Sequence, residues 1–253
     1  MGCSNSKRLK DQGRRDKEIA SKTLIKIREA LKLKLELDGD SHELFTLERI
    51  LLKFEKMHGY MKNVKILFTE LSHDQKVMNI DGLVESMIVL HGKVSKEEVL
   101  DLFDYVDVDG THTINLKEFL CLLTVALVLK IIPAFNEARE SGTVVIRPSV
   151  SFMHGKNTEI KEMLELIVSA YLRFDPIGEG YIKEEKFTQI LEEQGQVQSG
   201  HSKQVSSGKG SNNVSHLKWK EMDFDSDGRI DFAEFVYTFA KWVDIDDDFA
   251  EES

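Results

Sequence analysis

The chain of 253 residues is 41% hydrophobic and 31% charged, enough apolar material to bury a core in one large domain or two small ones and to read as a soluble globular protein. Its two cysteines, Cys3 and Cys121, exclude a disulfide framework and suit a reducing, cytosolic compartment. The formal net charge of −10 is uneven: residues 1–35 carry eleven Lys or Arg against four Asp or Glu, which leaves −17 on the rest, a body that nucleic-acid phosphate would repel.

From the start, "MGCSNSK" sets Gly2 behind the initiator methionine and Ser6 at the spacing of an N-myristoylation site, with Cys3 beside it as a palmitoylation candidate. One myristoyl chain holds a membrane only marginally, at about 10⁴ M⁻¹, so lasting attachment needs a second signal. Cys3 meets that need, and so do Lys7, Arg8, Lys10, Arg14 and Arg15, each worth on the order of 1 kcal/mol at an anionic leaflet. The expected location is the cytoplasmic face of a membrane, the plasma membrane, with a cytosolic pool. No apolar run suits a membrane span: "FLCLLTVALVLKIIPAF" from Phe119 is broken by Lys130 and Pro133.

Residues 16–37 place Leu24, Ile27, Leu31 and Leu35 on one helical face among Lys22, Lys26, Arg28 and Lys32, which predicts a basic amphipathic helix. Its tail, "LKLKLEL", also alternates as a strand. With the acylation site it makes a basic arm over 1–42. A second helical tract over 43–71 leads into four helix–loop–helix units, with loops near 72–85, 107–118, 175–186 and 223–234. Each unit exposes an apolar face that a neighbour covers, so the fold is expected to be all-α with two pairs of units. The first pair, with its lead-in helix, falls in 43–129 and the second in 159–246; 130–158 connects them. The polar insert 192–215 is expected to be flexible, and 247–253 is an acidic tail.

In the fourth loop, "DFDSDGRIDFAE", Asp223, Asp225 and Asp227 offer side-chain oxygens at positions 1, 3 and 5 and the Arg229 carbonyl serves position 7. Asp231 acts at 9, through water, and Glu234 closes the loop bidentately at 12. That spacing matches a Ca²⁺ ion, a hard cation that takes six to eight oxygens, while Gly228 at position 6 permits the sharp turn.

The second loop, "DVDGTHTINLKE", has its glycine at position 4. Forcing Gly110 to position 6 puts Tyr105 and Leu116 at the two ends and loses both ligands. Starting at Asp107 gives Asp109, Thr111, the Thr113 carbonyl, Asn115 and Glu118 in order. His112 must then adopt a left-handed backbone, which costs a non-glycine residue roughly 1–2 kcal/mol and is expected to weaken this site.

The third loop, "DPIGEGYIKEEK", puts Lys186 at the closing position. The first, "SHDQKVMNIDGLVE", lacks a glycine at position 6 and has one residue too many before Glu85. Both are expected to be structural partners that lend Ile80 and Ile182 to short pairings with the second and fourth loops.

Three stretches carry a resemblance: "ERILLKFEKM", "EVLDLFDYVDVDGTHTINLKEFLCLLTVALVL" and "EMDFDSDGRIDFAEFVYTFAKWVDIDDD". Over residues 44–246 the chain resembles the larger plant-type calmodulin-like EF-hand proteins with an acylated amino terminus; acylated calcineurin-B-like and recoverin-like sensors are similar in plan. The resemblance implies a sensor whose calcium-driven opening exposes an apolar groove to a target protein or peptide helix. The groove would be built by Phe119, Leu122, Leu123 and Leu127 in one pair and Phe235, Phe239 and Trp242 in the other. A calcium-independent adaptor and a calcium buffer are the alternatives. No enzyme is expected, since no phosphate-cradling glycine loop, nucleophile elbow or His-Glu-x-x-His helix is present.

Overall fold

A computed structural model of the chain describes residues 22–38, 54–136, 153–190 and 211–242. Gly2, Cys3 and the basic run after them, the tract 43–53, most of the 192–215 insert and the acidic tail lie outside these residues.

Helix α1, Lys22–Asp38, is helical to its end. Burial explains why the alternating tail does not become a strand: Leu24, Ile27 and Leu31 are buried on one helical stripe, whereas Leu33 and Leu37, which a strand would bury with Leu31, are exposed. The stripe packs on α4, Lys96–Val106, and α5, Leu116–Val128. From Lys22 onward, the apolar face of the helix expected within the 1–42 arm is therefore covered inside the protein.

The first two units are α2, Phe54–Leu71, followed by α3, Ile80–Val89, and then α4 followed by α5. Reciprocal caps start α4 and α5: Ser95 with Glu98, and Asn115 with Glu118. The third unit joins α7, Met153–Phe174, through strand β1, Tyr181–Lys183, to a helical stretch over 184–190. The fourth joins α8, Ser211–Met222, through β2, Arg229–Asp231, to α9, Phe232–Trp242. Strands β1 and β2 are antiparallel with Ile182 opposite Ile230. In the first pair a single bridge joins Met78 to Ile114, so Met78 makes the pairing expected of Ile80.

Two further departures concern the connection. Ile131, Ile132 and Phe135 are buried, the last on the short helix α6, Pro133–Asn136, so the chain after α5 is part of the core. Helix α7 also begins at Met153, inside the expected 130–158 connection, and packs on α2, α5 and α6. The exit helices α5 and α9 pack directly on each other, and one continuous hydrophobic cluster runs from Ile27 to Ala240. Among the described residues no helix is long and apolar enough to cross a membrane.

Candidate metal centres

The third residue of each exit helix decides what its loop can hold. In the fourth loop that residue is Glu234, whose N–H donates to Asp231 Oδ1 at 2.9 Å while its Oε2 accepts from the Asp231 N–H at 3.0 Å. The same reciprocal cap that starts α9 therefore turns the carboxylate back over the loop, where Oε1 accepts from the N–H groups of Phe224 at 3.0 Å and Asp225 at 3.3 Å. Carboxylate oxygens of Asp223, Asp225 and Asp227 lie within 4.8 Å of one another. The turn is held by the Asp227 N–H donating to Asp223 and Asp225, and by the Gly228 N–H donating to Asp223 Oδ2 at 3.2 Å.

The second loop repeats most of these hydrogen bonds, with a different trio of carboxylates drawn together. Carboxylate oxygens of Asp107, Asp109 and Glu118 lie within 4.8 Å of one another. The Thr111 N–H donates to Asp107 and Asp109 as Asp227 does to its aspartates, and the His112 N–H reaches Asp107 Oδ2 at 3.0 Å as Gly228 reaches Asp223. Glu118 accepts from the N–H groups of Asn115 at 3.0 Å and Asp109 at 3.3 Å. Thr111 Oγ1 stands 3.4 Å from the Thr113 carbonyl oxygen, and the Asn115 amide donates to Asp109. The geometry thus follows the register that begins at Asp107.

Backbone angles revise the role given to His112. It is left-handed at φ 57°, as expected, but position 4 is left-handed too: Gly110 at 69° in the second loop, Gly178 at 69° in the third and Ser226 at 58° in the fourth. Each acidic loop therefore sets one glycine and one non-glycine in left-handed conformations, with the order exchanged. Left-handed strain is alike in the two loops; the number of carboxylates is not. Five carboxylates stand at ligand positions in the fourth loop, Asp223, Asp225, Asp227, Asp231 and Glu234, against Asp107, Asp109 and Glu118 in the second.

In the third loop Asp175 keeps the turn, accepting from the N–H groups of Glu179 at 2.9 Å and Gly180 at 2.8 Å, but Lys186 is the third residue of the exit helix. Helix α1 lies across this loop. A Cβ on Gly180 (φ 80°) would stand 2.1 Å from Arg28 Cγ, and one on Gly178 would stand 3.2 Å from Lys32 Cα. The Arg28 guanidinium sits 5.6 Å from the centre of the Tyr181 ring.

In the first loop Asn79 caps α3 by accepting from the Gly82 N–H, so Gly82 takes the place of Glu118 and Glu234. Glu85, one residue too late in the sequence to close this loop, lies almost a turn further on and is exposed, 3.9 Å from His73. A Cβ at position 82 would meet Met78 Cγ at 2.9 Å, so the bridge residue fills the space a closing side chain would need.

The electrostatics of the two acidic loops fit a divalent cation. Burial, with smaller contributions from Asp109 and Asp107, pushes the Glu118 carboxyl up to about 7; burial and then Asp231 push Glu234 up to about 10. Burial raises Asp223 as well. Buried carboxylates crowded by carboxylates are costly to ionise unless a cation joins them, and an all-oxygen donor set suits Ca²⁺. Sequence reasoning missed the Asn79 to Gly82 cap, for which "NIDG" gave a signal, and the left-handed Ser226, for which it gave none.

No family model matches the chain. It is 26% identical over 199 residues, 78% of this chain and 75% of the relative, to the Arabidopsis thaliana protein named "Probable calcium-binding protein CML21". It is 24% identical over 205 residues, 80% of each chain, to "Probable calcium-binding protein CML22" of the same plant. With these relatives and the arrangement of its helices, the chain is a distant homologue of calmodulin-like calcium-binding proteins and has the all-α, calmodulin-like EF-hand fold.

Proposed function

We propose that this protein is a calcium sensor tethered to the cytoplasmic face of a membrane, which binds Ca²⁺ through its second and fourth loops and passes the signal to a target protein. The turn onto the first aspartate and the glutamate cap recur in these two loops, each with three carboxylates drawn together, and the glutamate is lost at the exit-helix position of the other two; this carries the reading. Asp223, Asp225, Asp227, Asp231 and Glu234 hold one ion with the Arg229 carbonyl. Asp107, Asp109, Thr111, Asn115 and Glu118 hold the other with the Thr113 carbonyl. Acylation at Gly2 and Cys3 supplies the tether; the −17 body makes nucleic acid an unsuitable partner.

The groove expected on the exit helices is closed in this structure. Phe119, Leu122, Leu123, Phe235 and Phe239 are all buried, Leu127 is half-buried, and the Trp242 side chain lies outside the described residues. Exposing each forfeits roughly 1.5–3 kcal/mol, which calcium and the target must together offset. In the packed form the described residues leave a cleft of about 730 Å³ between α1 and the end of α5. It is floored by Leu102, Leu127 and Phe135, and its rim carries five lysines and three glutamates, of which Lys26 pairs with Glu98 and Lys161 with Glu165, so the apolar floor is what it offers an amphipathic helix.

The burial of the exit helices favours a second reading, a constitutive adaptor or a buffer that binds calcium without opening. Binding of an apolar fluorescent dye to the full chain distinguishes them. A sensor gains dye sites when calcium is added, and an adaptor or buffer does not.

A further inference from the structure

Within each pair, the short backbone pairing joins an acidic loop to a loop without a closing carboxylate: Ile114 to Met78 in the first pair, Ile230 to Ile182 in the second. Neither pairing connects the two acidic loops. Their exit helices do. Glu118 is the third residue of α5 and Glu234 the third of α9. One turn beyond Glu118, the buried Cys121 donates its S–H to the carbonyl oxygen of Ala233, the residue before Glu234, at 3.4 Å. Tyr105, two residues before Asp107, buries its hydroxyl against the Ala233 backbone, near Asp231, without a hydrogen bond of good geometry. Tyr171 on α7 meets Phe232 and Phe235 edge-on, with ring centres 4.9 and 5.4 Å away, on either side of Glu234, and α7 also packs on α5.

We infer that the second and fourth loops are coupled across the two pairs through the first turns of α5 and α9, so that Ca²⁺ in either loop raises the affinity of the other. The inference rests on the proposed reading of these loops as calcium sites.

The sign follows from what coexists in the structure. Both glutamates are turned back over their loops, Glu118 toward the Asp109 N–H and Glu234 toward those of Phe224 and Asp225, while α5 and α9 are packed. Packed helices and closed loops are therefore compatible. Because α5 and α9 share one interface, an ion that fixes or shifts one exit helix fixes or shifts the other with it, and the second ion then has less to reorder. Linkage makes the factor equal in both directions.

The test is a calcium titration of the full chain, followed by the backbone amide signals of His112 and Gly228, which report the loops separately. Glu234→Gln is expected to weaken binding at the His112 loop by about five-fold or more, the lower end of typical coupling, and Glu118→Gln to weaken the Gly228 loop by the same factor. Circular dichroism checks that each variant keeps its helices. If Glu234→Gln unfolds, Asp223→Asn, which also removes a ligand charge, takes its place. In the Tyr105→Phe, Cys121→Ala double variant, both loops should still bind while the factor shrinks toward one. Unchanged affinity at each loop when the other is disabled overturns the coupling and leaves the calcium reading standing. Absence of binding at both loops in the parent overturns that reading and the coupling with it.

Discussion

His112 and Gly228 occupy the same place in their loops. Each donates its backbone N–H to the first aspartate, His112 to Asp107 at 3.0 Å and Gly228 to Asp223 at 3.2 Å, from a left-handed conformation. Their unlike side chains do not rank the loops, because the strain at His112 is matched by Ser226 in the other loop. Each strained residue costs roughly 1–2 kcal/mol, of which glycine would return about 0.5–1 through its greater unfolded freedom. Both His112→Gly and Ser226→Gly are therefore expected to tighten their own loops a few-fold, as read by calorimetry. A gain at His112 alone would mean that the glycine order, not ligand charge, separates the sites.

Helix α1 is expected to be part of the folded body through its seat on the third loop. Gly180→Ala introduces a Cβ 2.1 Å from Arg28 Cγ at a φ of 80°, so it should destabilise the chain by at least about 1–2 kcal/mol from backbone strain alone. Arg28→Ala removes the clash but not the strain, so in the double variant part of the loss should be recovered, measured by thermal unfolding. Strict additivity would show that α1 does not rest there.

The spacing of candidate ligands within each acidic loop is legible in the sequence because coordination would fix it: oxygens must recur at alternate positions and a carboxylate must close the loop. The first loop was misread because its end is set by the Asn79 cap, which moves the closing position to Gly82 and the bridge to Met78. A helical stripe states that a face is apolar and not what covers it. The stripes of Leu24, Ile27 and Leu31 and of Phe119 and Leu122 are legible as apolar faces, but that all five are covered within the protein is read only from the fold.

The contact between Lys26 on α1 and Glu98 on α4 should be visible in acid. Hydrogen bonding to Lys26, followed by the Ser95 backbone N–H, holds the Glu98 carboxyl down to about 2. A carboxyl depressed in the folded state stabilises it fully above its unfolded value of about 4.3, and that contribution is lost as the pH falls toward 2. Lys26→Ala should raise the Glu98 carboxyl toward the ordinary range in a carbon-detected NMR titration and move acid unfolding to higher pH. An unmoved titration would place α1 away from α4.

Membrane attachment is expected to depend on Gly2, since Leu24, Ile27 and Leu31 are buried and unavailable to lipid. Gly2→Ala should shift the protein to the soluble fraction of a cell. If the variant stays bound as firmly as the parent, the attachment does not run through an acyl chain at Gly2.

Calorimetric titration of the full chain with calcium tests the central claim most directly. Two ions should bind. Glu234→Gln should abolish the tighter step, which the five carboxylates of the fourth loop produce, and Asp107→Ala should abolish the weaker one. No binding in the parent, or a step that survives both substitutions together, would contradict the assignment of calcium to these two loops.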